Sequence, residues 1–489
     1  MKDIEPAWDM SGEAAGRRLD APDAAAAEQP GGNRYLYLIT LVAAVGGFLF
    51  GYDLSLISGA IIFLKAEWSL SPFWMGAITG SAILGCPFGP LAGISLADKF
   101  GRRRTLIISS LLFLVSTAGS ALAPGMWPFA ASRFIGGVGV GLASTISPMY
   151  IAEVAPARLR GRLVVVNQLA IVIGLSLSIV VTYLFSFGGH WRLMFATQGV
   201  PTLVLALGLF LVPESPRWLA AAGRPAEALG VLARVNGRVQ AERELRDILS
   251  ELGEETGGFR ELWRRGIRKA VGIGIVLMIF SQINGVNMIL LYAPTLFMEA
   301  GLTNAPDAIL NSVIVSAWIT LCTIIAFWLT KQFGRRPILI AGTLAMAVGH
   351  VLMFLNFAFR LPTALTLAAM FVPTGAFTLT LAPLSWVVLS ELYPNRVRGK
   401  AMSLAVGLMF LASYVTVNVF PMVLNRFKAA FGHPGGTFLI FMGICIACAA
   451  FVWRLLPETK DRTLEEIGRS WLRLDLKTPR QEAGEHHGA

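Results

Sequence analysis

Three features of the sequence predict an all-α integral membrane protein, with twelve transmembrane helices in two pseudo-symmetric six-helix halves and cytoplasmic helices between them. The chain is 55% hydrophobic and 15% charged, against about 45–50% and about 25% in soluble domains. Apolar segments of spanning length, about 20 residues each, recur from Tyr35 onward. The polar motifs between them occur twice, in the same order.

Residues 1–33 are rich in Ala, Pro, Gly and acids, lack periodicity, and read as a disordered cytoplasmic tail without a signal peptide. Spans are expected near 35–63, 73–97, 105–123, 128–151, 163–186 and 192–212, making a first half over 34–220. Residues 221–269 are polar, and their apolar members Leu229, Leu232, Val235, Leu245, Ile248 and Leu249 come at loosely helical spacing, so a helical cytoplasmic linker is expected there. The second half, 270–456, holds spans near 270–298, 309–330, 337–358, 363–391, 400–424 and 436–456, and 457–489 is a second tail.

Basic residues set the orientation. Lys99 to Arg104, Arg158 to Arg162, Lys331 to Arg336 and Arg396 to Lys400 follow even-numbered spans, whereas the other connections are poorer, Arg426 and Lys428 excepted. By the positive-inside rule both termini are cytoplasmic and the protein sits multi-pass in the cell membrane. The net charge of +11 is therefore topological and does not point to nucleic acid.

The repeat is explicit. Phe100-Gly101-Arg102-Arg103 recurs as Phe333-Gly334-Arg335-Arg336, Glu153-x-x-Pro156-x-Arg158-x-Arg160-Gly161 as Glu391-x-x-Pro394-x-Arg396-x-Arg398-Gly399, and Pro213-Glu214-Ser215 as Pro457-Glu458-Thr459. The offsets, 333 − 100 = 233, 391 − 153 = 238 and 457 − 213 = 244, are nearly constant. Two halves of like topology, related about the membrane normal, bind solute between them and rock to alternate access. Glu153, Glu214, Glu391 and Glu458, with Arg160 and Arg398 nearby, are read as a cytoplasmic gate of ion pairs across the halves. Snorkelling charges of simple topology explain the arginines but not the recurring acids.

Asp53 is an ionisable side chain deep in an apolar segment, where a carboxylate costs about 2.5–3.5 kcal/mol on insertion scales. It lies roughly 6 Å outward of the centre of span 1, and Arg133 roughly 9 Å outward of the centre of span 4, at 1.5 Å per residue. Similar depth makes them a coupling pair for a proton: a carboxylate beside Arg is held as the anion, and one desolvated without it takes a proton. A fixed structural ion pair is the alternative.

These residues resemble the sugar porter family of the major facilitator superfamily. The match runs over about residues 35–470. It includes Phe50-Gly51-Tyr52-Asp53, the stretch from Arg133 through Ser147-Pro148-Met149-Tyr150-Ile151-Ala152-Glu153 to Gly161, Pro213-Glu214-Ser215-Pro216-Arg217-Trp218, Gln282-Ile283-Asn284-Gly285-Val286-Asn287, Trp386 with Ser390-Glu391, and Pro457-Glu458-Thr459-Lys460. The resemblance implies the major facilitator fold, secondary transport of a monosaccharide or polyol, coupling by Asp53 and Arg133, and substrate contacts from Gln168, Gln282, Asn287 and Trp386. Ser281, Leu291, Ile319, Ala382 and Met409-Phe410 stand where the family usually has other residues, most of them more polar. Unpaired hydroxyls are costly in a dry site, so a less polar pocket points to a different sugar, a polyol or a less hydroxylated solute. Lys331-Gln332 replaces an acidic–basic pair and predicts an asymmetric gate.

The residues support a site by themselves. Gln282, Asn284 and Asn287 share one span, with Asn284 and Asn287 on one helix face, and Asn167 and Gln168 lie in span 5. A lone membrane amide is interhelical glue worth ~0.6 kcal/mol; several together point to a solute site. Trp386, beside Pro383 and within its span, reads as a stacking platform rather than an interfacial anchor. The glycines of span 4 read as close packing, because no strand precedes them to make a nucleotide loop. Cys445 and Cys448 sit at lipid depth without acidic company and read as packing residues, and His486-His487 is too isolated for a metal site. No enzyme chemistry and no Walker sequence is visible, so the expectation is no cofactor beyond the proton as coupling ion and no obligate protein partner. Three activities stay open: proton symport, facilitative uniport of a sugar or a less polar solute, and solute sensing without transport.

Overall fold

A computed structural model describes residues 30–252, 259–264, 267–393 and 397–458. Most of both expected tails, His486-His487 included, lies outside the described residues. In hydrocarbon every backbone N–H and C=O must be satisfied within the protein, which leaves helices as the simplest solution. Among the described residues twelve helices are long and apolar enough to cross a membrane: span 1 (Arg34–Trp68), span 2 (Pro72–Phe100), span 3 (Arg102–Ala121), span 4 (Met126–Val154), span 5 (Ala157–Ser186), span 6 (Trp191–Leu211), span 7 (Ile267–Leu291), span 8 (Ala305–Leu329), span 9 (Arg335–Ala358), span 10 (Thr363–Leu392), span 11 (Arg398–Phe431) and span 12 (Gly436–Leu455). Spans 1 and 11 outrun the expected 63 and 424, because their polar ends stay helical past the apolar window that marks a bilayer crossing.

Between spans 6 and 7 lie the helices Pro216–Ala221, Pro225–Asn236 and Arg238–Leu252. The first is capped by Ser215, whose hydroxyl accepts from Trp218 N at 3.3 Å, with Pro216 at the start where no N–H is needed. Leu219, Ala220 and Ala228 bury together against Trp218, Val231, Leu245 and Ile248, a small satellite core that takes in Leu245 and Ile248 of the expected apolar residues and leaves Leu249 exposed. Trp218 Nε1 donates to the carbonyl of Asp98 at 2.8 Å, tying the linker to the end of span 2.

Inside the first half the helices approach through small residues. A β-carbon on Gly51 would strike the carbonyl of Ile171, one on Gly174 that of Phe48, and one on Gly137 that of Ala82. Spans 1 and 5 thus fit each other reciprocally, and spans 2 and 4 likewise, by backbone-to-backbone packing of the kind that drives helix association in lipid. The two halves meet along spans 2 and 11, 5 and 8, and 1 and 7. On the face away from the arginine clusters the join is tight: Ser58 donates to the carbonyl of Leu290 at 3.0 Å, Ser176 pairs with Thr320 at 2.8 Å, and Gly76 and Gly80 lie against Asn418 and Tyr414. Toward the arginine-rich face span 2 touches span 11 much less, Leu91 against Gly407 being one remaining contact. The cleft between the halves therefore opens on the arginine-rich side.

Gly51→Ala is expected to destabilise the protein by about 1–3 kcal/mol, the usual cost of overpacking. Gly161, with nothing within 4 Å of a β-carbon, serves as the control, since its Ala variant gains helix propensity without a clash. Thermal unfolding in detergent that ranks the two variants equally would contradict the reciprocal packing of spans 1 and 5.

Candidate substrate and proton site

Span 1 brings Asp53 to Arg133 of span 4. Arg133 Nη1 lies 2.5 Å from Asp53 Oδ1, and Nη2 donates to the Asp53 carbonyl at 2.9 Å. Neither residue has any exposed surface, and the guanidinium lies 5.4 Å from the ring centroid of Phe195. Glycine makes the pairing possible. Gly46 lies against Ser147, Gly47 against Asn167, and Gly136 leaves room for Ser116 beside Asp53. Asp53 Oδ2 and Arg133 Nε have no protein partner, so the pair is closed by one charge-assisted bond and one backbone bond. Stripping one partner from a buried ion pair costs about 3–5 kcal/mol, because the other charge is left uncompensated.

Span 7 is broken in its middle. One helix runs Ile267–Ile283, Gly285 takes the left-handed conformation at φ +91°, and a second helix runs Val286–Leu291. Only glycine adopts that φ without strain. Asn284 caps the break from within: its Nδ2 donates to Ser281 O at 2.7 Å, and its Oδ1 accepts from Val286 N at 2.9 Å. This corrects the expectation that Asn284 and Asn287 share a face, which assumes an unbroken helix. The break instead joins Gln282 to Asn287, whose Nδ2 donates to Gln282 Oε1 at 2.7 Å. Both are half-buried, able to bond each other and a solute. Gln168 in span 5 and Trp386 in span 10 are exposed, Trp386 by 43%. The substituted positions Ser281, Ile319, Met409 and Phe410 are all buried, and Phe410 sets its ring edge-on to Phe50 of span 1, with centroids 6.5 Å apart. A cavity of about 620 Å³ on the opposite face, lined by Lys65, Thr295, Glu299, Arg360 and Lys428 among others, includes none of the four candidate substrate residues.

The four acids at the arginine-rich face pair within their own halves. Glu153 holds Arg102 at 2.9 Å and accepts from Ser215 Oγ, while Arg102 also meets Asp98 at 3.1 Å. Glu214 caps the start of span 3, accepting from Arg103 N and Ser215 N, each at 2.9 Å. It fits only because Gly101 has no side chain and sits at φ +99°. The second half repeats the design: Glu391 meets Arg335 at 3.1 Å, and Glu458 accepts from Arg335 N at 2.9 Å and Arg336 N at 3.2 Å. A carboxylate there meets the free N–H groups and positive end of a helix. Arg160 is exposed and Arg398 Nε donates to Tyr393 O at 3.4 Å. The pairs seen here lie within each half; the cross-half pairs expected of a gate belong to the state in which this face is closed. The asymmetry has a location, since the counterpart of Asp98, 98 + 233 = 331, is Lys331. Sequence reasoning missed Asp98, Ser215 and the capping task of Glu214 and Glu458; the glycine preceding each arginine pair was the available signal.

A family model described as "Sugar (and other) transporter" matches residues 39–471. The chain belongs to this family. Among curated relatives, the D-xylose-proton symporter of Escherichia coli K12 is 37% identical over 89% of this chain and 96% of its own. The arabinose-proton symporter of Bacillus subtilis is 37% identical over 90% of this chain and 96% of its own. A solved structure of the Escherichia coli xylose transporter in an inward-open conformation superposes with a TM-score of 0.79 at 35% identity, covering 89% of this chain and all of that one. The fold is therefore that of the major facilitator transporters, and the protein is a multi-pass membrane protein.

Gln282→Ala leaves Asn287 Nδ2 without its acceptor and, if Gln282 is a substrate residue, takes away a solute contact. Calorimetric titration with the best-bound sugar is expected to show a loss of about 1–3 kcal/mol; unchanged affinity would remove Gln282 from the site.

Proposed function

We propose that this chain is a proton-coupled symporter that carries a monosaccharide or polyol across the cell membrane by alternating access, with its arginine-rich face in the cytoplasm. The observation that carries the reading is the fully buried Asp53–Arg133 pair, a costly arrangement of the kind that marks proton relays inside membranes. Two relatives of high coverage are named proton symporters of pentoses. Gln168, Gln282, Asn287 and Trp386 line the cavity between the halves, amides bonding hydroxyls and indole stacking on the apolar face of the ring. Buried Ile319, Met409 and Phe410 favour a solute with fewer hydroxyls to satisfy.

The cycle follows from the pair. With the cleft open outward, a proton neutralises Asp53, the bond to Arg133 loosens, and solute binds between Gln282 and its partners. The halves rock, the outer join of Ser58 with Leu290 and Ser176 with Thr320 forms, and the cleft opens inward. Asp53 then loses its proton and recaptures Arg133, closing the pair again. Arg160 and Arg398 are the cations that meet the other half's acids when the cytoplasmic side closes.

Asp53→Asn mimics the protonated carboxyl. In proteoliposomes it is expected to retain sugar binding and exchange while losing uphill accumulation driven by a pH gradient. Accumulation at the wild-type level would place coupling elsewhere, or make this member a uniporter.

A further inference from the structure

His350 lies in span 9 and is wholly buried. Its Nε2 is 2.8 Å from the carbonyl oxygen of Asn284; a carbonyl only accepts, so Nε2 carries the proton. That carbonyl stands at the apex of the break in span 7. In a continuous helix it would accept from Met288 N, which instead bonds the carbonyl of Gly285 at 3.1 Å. His350 thus supplies the donor that the break removes, with Cys445 Sγ of span 12 adding a weaker contact at 3.6 Å. The imidazole is held in place by Phe438 and Phe441, with ring centroids at 6.1 and 5.6 Å, and Phe441 also packs on Gly285 itself. Gln282 and Asn287 stand one on each side of this apex and bond each other only because of its angle.

We infer that His350 is a positioning residue for the substrate: its hydrogen bond to the Asn284 carbonyl sets the geometry of the span 7 break and hence the spacing of Gln282 and Asn287. The inference rests on the assignment of those two residues to the substrate site. An unmet carbonyl at lipid depth would otherwise draw the chain back toward a regular helix and part the two amides.

The test separates the donor from the ring. His350→Gln keeps an N–H that reaches the carbonyl and loses the aromatic packing; His350→Phe keeps the packing and loses the donor, with His350→Leu standing in should the Phe variant not fold. D-xylose and arabinose are titrated into purified full-length protein, and thermal unfolding is followed in parallel. Affinity is expected to follow the donor: within about threefold of wild type for Gln, and weakened about tenfold or more for Phe or Leu, whatever the order of melting temperatures. A purely structural His350 would lower melting temperature and leave affinity alone, and equal affinities, or Phe binding better than Gln, would overturn the inference. Gln282→Ala is the control. If wild type binds neither sugar, or Gln282→Ala binds as wild type, the substrate reading itself falls and the inference with it; if that control weakens binding and the His350 variants do not, the inference alone falls.

Discussion

In the bilayer no water waits to satisfy a polar group, and this single constraint arranges the molecule. It makes every span helical. It also dictates what must stand wherever a helix is interrupted. The break in span 7 has Asn284 turned back on its own backbone and His350 reaching its carbonyl. The starts of spans 3 and 9 have Glu214 and Glu458 receiving their free N–H groups. Arg133, which cannot be neutralised, takes both a carboxylate and a carbonyl from Asp53. Each irregularity is thus a place where side chains substitute for solvent, and the candidate functional residues sit at or beside those places.

Glycine is the means by which such substitutions reach their targets. Spans 1 and 5 touch backbone to backbone because Gly47, Gly51 and Gly174 carry no side chain, and Gly46 lets span 1 settle on Ser147 of span 4; that closeness lets one carboxylate meet one guanidinium in a buried site. A wider gap would leave room for water and lower the cost of separating the charges. Close packing and charge pairing are therefore one feature: the glycines that let the helices approach also keep the pair dry.

The twelve spans, the doubled motifs and the depth of Asp53 and Arg133 were legible because each depends on local composition or on counting residues along a helix. The pairing of Glu153 with Arg102 rather than with the other half was not, since it depends on which conformation the cleft holds. Nor was the meeting of Gln282 with Asn287, because helical periodicity presumes a continuous helix and Gly285 ends it; the glycine was visible, but its positive φ was not. His350 gave no sequence signal at all, being one apolar-flanked histidine whose acceptor is a backbone carbonyl 66 residues away in the chain.

The two faces of the cleft are built from different chemistry, and that difference bears on how the halves can rock. The closed face, away from the arginine clusters, is joined by hydroxyl-to-carbonyl and hydroxyl-to-hydroxyl bonds and by small-residue contacts. Each such bond contributes about 0.5–1.5 kcal/mol net, so the join is cheap to undo and is not sensitive to charge. At the arginine-rich face the acids are already occupied within their own halves, in bonds that brace span ends while the cleft is open. Closing that face therefore need not create ion pairs from free charges in water; it has only to bring a second arginine to a carboxylate that is already desolvated and oriented. The first half, with Asp98 added to Arg102 and Glu153, carries one more acid than the second, where Lys331 stands instead. The negative charge at this face is thus weighted to the side of Glu153.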